Sequence, residues 1–393
     1  MILRCCSVSG SASAPAPAAV AAAPGFDWRW FEEAVLQRGV TPIVARTLGG
    51  MVIPTAGVQA KHRIAIAAQA IILRNHHLVS ELRRMTARFE SNGVATLAFK
   101  GPTLAAIAYG DITLRAFTDL DILVHRKDFE HAVELLIADG YGLAGSSAHR
   151  VDPAIFTTFG SGFEAQRGQD LIDLHSQIRR WRFHCFPDEE SLWARSIVLE
   201  LEGRCVRTFA PADLLLYLCA HGAKHGWTSL KMIADVARII ERCEIDLDEA
   251  MRNAERIGCG RMVLLGLMLA SELLGALVAP AILERGRADV EVEGAKTTVV
   301  DAMFTEEQIE AEPENHRGIA VQLMNPADRA RYWWWRAVTP TVSDWELIWL
   351  PRSAYPAYFL VRPVRLALQS VRSRMRRKAR PDRGRPVADE LEI

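Results

Sequence analysis

An excess of charge of either sign is missing from this 393-residue chain: Lys+Arg and Asp+Glu stand at 47 each. Binding along a phosphate backbone needs surplus cations, so the balance excludes a nucleic-acid coat protein. Paired cysteine is missing as well. The seven cysteines are scattered, odd in number and form no C-x-x-C pair. That excludes a disulfide scaffold and a zinc ribbon, and it fits a reducing cytoplasm. A clean membrane span is also lacking. Met262–Leu283 has the length, but Glu272 interrupts it, Gly266 and Gly275 thin it and Pro280 breaks its end. It reads as a buried core helix. Glycine and proline are near their usual level, so most of the chain is neither fibrous nor low-complexity, and its length fits about two or three domains.

What is present divides into segments. Residues 1–25 carry an Ala/Pro-rich run, Ala14 to Pro24, whose prolines spoil the apolar middle of a signal peptide; a disordered leader is predicted. Residues 26–92 read as a helical arm, with Leu73, Leu78, Leu82, Met85 and Phe89 at helical spacing and Gly93 as the stop. Residues 93–185 switch to strand periodicity: short runs at 94–99 and 117–124, a helix at 129–138, and a hairpin from 163–166 and 171–175 around Arg167-Gly168-Gln169-Asp170. Residues 186–366 return to helices at 189–196, 211–222, 229–242, 247–256 and 261–278, with a loop predicted for 284–317. An aromatic-rich segment, Tyr332–Trp335 through Trp345 and Trp349, leads to a last helix near 356–375, and its Trp cluster at 333–335 reads as core or inter-domain packing rather than base stacking. Residues 367–393 form a basic tail, by default a solvated end. The predicted fold class is α+β, a small mixed sheet flanked by N-terminal helices and a C-terminal helical domain.

The chemistry concentrates in Arg115-Ala-Phe-Thr-Asp119-Leu-Asp121-Ile-Leu-Val124. On a strand, Asp119 and Asp121 share one face and Leu120, Ile122 and Val124 the other. Two like charges side by side on a half-buried strand are costly unless a cation neutralises them, and Mg²⁺ takes one or two carboxylates plus substrate phosphates. In Leu171-Ile172-Asp173-Leu174-His175, Asp173 and His175 likewise share a face. If the two strands are neighbours, Asp173 is a third carboxylate, and three such groups can hold two Mg²⁺ ions about 3.5–4 Å apart for in-line phosphoryl or nucleotidyl displacement. His175 reads as a packed neighbour. Upstream, Phe99-Lys100-Gly101-Pro102 joins a strand to a helix. Gly101 permits close backbone approach, Pro102 suits the first turn, and Lys100 with the helix N-terminus makes a phosphate cradle. Arg115 either contacts phosphate or pairs with Asp119.

The run KGPTLAAIAYGDITLRAFTDLDILV, then a helix, GY and LIDLH, resembles the polymerase-β-like nucleotidyltransferase superfamily, and within it the branch of uncharacterised nucleotidyltransferases. The resemblance extends to GVTPIVARTL before the core and HGAKHGWTSLKMIADVARII and RPVRL after it, covering roughly residues 26–366. It implies that Asp119 and Asp121 hold the metals, that Asp173 is the third acid, and that Lys100 and Gly101 bind the triphosphate. The wider superfamily carries Gly-Ser or Gly-Gly where this chain has Lys-Gly. The implied reaction is Mg²⁺-dependent transfer of a nucleoside monophosphate from an NTP, with ATP the expected donor, to an unidentified acceptor. The other class considered is a nucleotide-sensing or partner-binding protein that keeps the fold without catalysis.

Remaining motifs are weighed against simpler roles. His221 and His225 share a helix face, but Gly222 stands where a zinc protease needs Glu. They are expected, with Lys231 and Asp235, to line the nucleotide or acceptor cleft. Gly140-Tyr-Gly142-Leu-Ala-Gly145 follows a helix and is a cap, not a dinucleotide fingerprint. Ser161 lacks a nucleophile elbow. Without a basic groove, a processive polymerase and nucleic-acid partners are disfavoured.

Overall fold

The computed structural model describes residues 1–8, 16–144, 152–159, 162–178, 187–303 and 318–378. Ser161, Gly145, residues 304–317 of the predicted loop and the end of the basic tail lie outside them. The chain forms two compact units, Met1–Tyr332 and Trp333–Ile393.

The first unit is built on a five-stranded mixed sheet in the order β1-β2-β5-β4-β3. The strands are β1 (Thr96–Ala98), β2 (Leu120–Val124), β3 (Gly142–Leu143), β4 (Phe163–Arg167) and β5 (Asp170–His175). All five residues of β2 are buried, so both faces of that strand are covered, whereas β4, also paired on both edges, alternates buried Phe163 and Ala165 with exposed Glu164 and Gln166 and so has one open face. β2 runs parallel to β5 and antiparallel to β1. The predicted 163–175 hairpin is β4 and β5, paired antiparallel. The fold class is α+β, as expected.

The arm before the sheet is helical, its longest member being Val58–Glu90, which buries Ile64, Leu78, Leu82, Met85 and Phe89. After the sheet come helices Pro211–Lys224, Leu230–Arg242, Leu247–Arg256 and Gly260–Leu274. The last of these is sunk in the core, with Met262–Ala270 all buried. Gly275, at φ +77°, ends it, and Glu272 turns outward to Arg287 and Lys296. Among the described residues no helix is long and apolar enough to cross a membrane.

Several expectations need correction. Residues 284–303 are not a loop: helices Pro280–Ala288 and Val290–Met303 occupy this stretch, and Ile282, Val292, Ala295 and Val299 bury against the core from within a charged sequence. A second hairpin, β6 (Ile197–Leu201) and β7 (Arg204–Thr208), sits where only helices were expected. The leader is ordered at its start: Ile2–Cys6 is a short helix that buries Ile2, Cys5 and Cys6.

The second unit is organised around one acid. Asp344 is wholly buried and accepts hydrogen bonds from the Thr341 backbone N–H (2.7 Å), Arg362 (3.2 Å) and Arg365 (2.5 Å). Trp333 and Trp334 are less buried than a core reading expects, at 53% and 64% exposure, and Arg336 lies over the Trp333 ring.

Candidate active site

The parallel pairing of β2 with β5 sets Asp121 directly beside Asp173. Strand alternation then puts His175 on the same face. Ligand atoms of Asp121, Asp173 and His175 all fall within 4.8 Å of one another, with His175 Nε2 3.0 Å from Asp173 and 3.5 Å from Asp121. The expectation that β2 and β5 are neighbours is met. Asp119 lies just before β2 and is not part of this close trio. It still feels Asp121, Lys100, Asp173 and Lys231, and its pKa is raised, first by burial and then by Asp121.

The strand-to-helix turn supplies the cations. Lys100 Nζ lies 2.8 Å from Asp121 Oδ1, with both side chains largely buried. Burial, the largest single influence, would lower the Lys100 pKa, but Asp121, Tyr217 and Asp119 together outweigh it and the pKa is raised. For Asp121, burial pushes upward and Lys100 and His175 pull the pKa below its usual value. Asp121 thus stays ionised. Its second oxygen, Oδ2, is buried without a hydrogen-bond partner. A buried carboxylate oxygen left so is costly, and a cation beside the two carboxylates and the imidazole would satisfy it. The donor set therefore fits a divalent metal ion.

Gly101 is required by its backbone. Its φ is +52°, and an added Cβ would come within 2.9 Å of the Asp119 carbonyl oxygen. Gly101→Ala is expected to cost about 2 kcal/mol of stability and to push Asp119 away from Lys100, as denaturant unfolding and nucleotide binding on the same variant will test.

Helix Pro211–Lys224 closes one side of the site. Tyr217 lies 5.9 Å below the Lys100 ammonium, and Phe99 contacts His175, Phe209 and Tyr217 with ring centroids 4.8–5.4 Å apart. His221 stacks on Tyr217 and lies 4.4 Å from His225. Burial first, then Lys100, holds the His221 pKa well below the usual value, so the ring is neutral near pH 7. Gly222 follows His221 for a packing reason: a Cβ there would strike the Trp227 ring at 2.7 Å.

Arg115 and Asp235 are engaged elsewhere. Arg115 neither pairs with Asp119 nor faces an open site. It makes a two-pronged ion pair with Asp235 at 2.8 and 2.9 Å, and Tyr109 donates to the same carboxylate at 2.9 Å. Asp235 is thereby withdrawn from the cleft-lining role expected of it. Lys231 donates to the Ala116 carbonyl at 3.2 Å, and burial, followed by Arg115, lowers its pKa from 10.5 to about 8. In the window between those values the unfolded chain binds the proton that the folded chain has lost, so stability rises with pH there and the penalty is full below pH 8. Lys231→Met is expected to flatten that rise, measured by denaturant unfolding across the window.

A cavity of about 620 Å³ elsewhere in this unit is lined by Arg195, Asp213, Glu249, Glu255 and Asp328, among others, and by none of the predicted site residues. Most of these charges are already paired, Arg195 with Asp213 at 2.8 Å among them.

A family model described as uncharacterised nucleotidyltransferase matches residues 24–275. Among solved structures, the chain is similar to the antibiotic-resistance factor ANT(2'')-Ia in solution, at 16% identity and TM-score 0.32, over 47% of this chain and 90% of that one. It is also similar to an antigenic nucleotidyltransferase-like protein from Paracoccidioides brasiliensis, at 16% identity and TM-score 0.30, over 54% of this chain and 97% of that one. At such scores neither likeness bears on the site. No curated protein matches the chain.

Proposed function

The chain belongs to the uncharacterised nucleotidyltransferase family, and from that premise we propose that it transfers a nucleoside monophosphate from an NTP, ATP first among them, to an acceptor and releases pyrophosphate. The observation that carries this reading is the register of β2 against β5, which sets Asp121 beside Asp173 with His175 next to both. Asp119, Asp121 and Asp173, with His175, would hold Mg²⁺, as two ions if Asp119 joins. Bound there, divalent cations offset the charge that builds on the transferring phosphate.

The chain's own groups do the rest. Lys100 and the amides at Gly101 hold the β- and γ-phosphates, which needs Lys100 to exchange its contact with Asp121 for the substrate. Asp173 accepts the proton of the acceptor hydroxyl, and His175 orients Asp173 through their 3.0 Å contact. Neutral His221, beside Tyr217, together with His225 and Lys231, lines the nucleotide or acceptor side. Scattered cysteines and balanced charge support a cytoplasmic protein that does not bind nucleic acid. The acceptor is a small molecule, a peptide or a protein side chain.

The test is incubation with each of four labelled NTPs and a cell extract, followed by mass analysis of whatever gains a nucleotide. Asp119→Asn is expected to abolish the transfer and leave unfolding unchanged; wild-type turnover in that variant would remove Asp119 from the site. A second reading rests on the Lys100–Asp121 ion pair, which already neutralises one acid: a nucleotide sensor that keeps the fold. NTP binding without pyrophosphate, with or without Mg²⁺, would favour it.

A further inference from the structure

The last helix of the second unit, Tyr358–Lys378, carries its apolar side outward. Tyr358 and Arg362 are buried, at 1% and 7% exposure, and Arg362 reaches Asp344 within the unit. Leu360, Val364 and Leu368, spaced to share one helix face, are 73%, 59% and 55% exposed. A helix that faces only water shows the opposite pattern. Trp349 is 78% exposed in the same unit, as are Trp333 and Trp334 in large part. Every charged residue of the helix is basic, in a chain whose overall charge is zero.

We propose that residues 333–378 dock this protein on the surface of an anionic lipid bilayer. An outward apolar row and exclusively basic charge on the helix are the features of one lying in the headgroup plane, and the exposed tryptophans elsewhere in the unit are residues that seek that interface. The charge selects this occupant. A second copy of the chain would bring two cationic helices face to face and repel. An RNA would use the basic residues but leave the Leu360 row in water. A bilayer with anionic lipid satisfies both. The helix lies on the membrane rather than through it, in keeping with the absence of a spanning helix among the described residues. This inference does not depend on the transferase reading.

The test is flotation of the full chain with vesicles of phosphatidylcholine alone and of phosphatidylcholine mixed with phosphatidylglycerol, at low and high salt. Wild type is expected to float with the mixed vesicles and to be released by salt. The Leu360→Asp/Val364→Asp variant is expected to bind at least roughly tenfold less with unchanged thermal unfolding. Should that variant misfold, Trp349→Ser, at a largely exposed position, is expected to weaken binding in the same direction. The proposal is overturned if wild type ignores anionic vesicles or if all these variants float as well as wild type. It is equally overturned if the exposed row instead holds a dimer that the double variant dissolves, or if RNA binds while vesicles do not.

Discussion

Asp121→Asn is expected to lower nucleotidyl transfer by roughly a thousandfold or more, since stabilisation of phosphoryl charge by metal ions is worth several kcal/mol and each ~1.4 kcal/mol is a factor of ten. The same change leaves the Lys100 ammonium buried opposite a neutral amide. Losing one partner of such a pair costs about 3 kcal/mol, so a fall in stability accompanies the fall in rate. The two effects separate in a second variant. Lys100→Met combined with Asp121→Asn removes the stranded charge and is expected to recover most of the stability and none of the activity. Steady-state pyrophosphate release and denaturant unfolding on both variants check this. A double variant that regained turnover would mean that Asp121 acts only as the counter-ion of Lys100.

Asp235→Ala is expected to be the most destabilising single change in the unit, by about 3–5 kcal/mol. Its carboxylate takes both prongs of Arg115 and the Tyr109 hydroxyl, all of them buried. Removing it strands a guanidinium that is only 7% exposed. Tyr109→Phe deletes one hydrogen bond of the same cluster and is expected to cost only about 1 kcal/mol. Arg115→Lys does not rescue the geometry, because a point charge cannot make the paired contact. The ratio between the Asp235 and Tyr109 effects, read by denaturant unfolding, distinguishes a structural Arg115 from a phosphate ligand. A phosphate ligand would leave Asp235→Ala stable and raise the KM for nucleotide instead.

The acidic site was legible in the sequence because strand alternation is a local rule. Asp121 and the Asp173-Leu-His175 pair each lie on one strand face, and a single parallel pairing joined those faces, while Asp119, just before β2, stayed outside the cluster. His175 had the same signal and was read as packing, since a lone histidine beside a carboxylate is more often that. The partner of Arg115 was not legible. Asp235 lies 120 positions away on another helix, and no periodicity links the two. Gly101 before Pro102 pointed to a close approach, but its target, the Asp119 carbonyl, emerged only with the sheet. The 280–303 helices were hidden because their buried residues, Ile282, Val292 and Val299, are too sparse to outweigh the charge around them. Trp333 and Trp334 misled for the converse reason: large aromatic residues belong in cores unless something outside the chain covers them.

Titration of an NTP into the protein by calorimetry, with and without Mg²⁺, tests the acidic site as a metal-dependent nucleotide centre most directly. Wild type is expected to bind the triphosphate tightly only when the ion is present, and Asp121→Asn to lose that dependence along with the affinity. Equal binding by wild type in the presence and absence of Mg²⁺ would contradict the account.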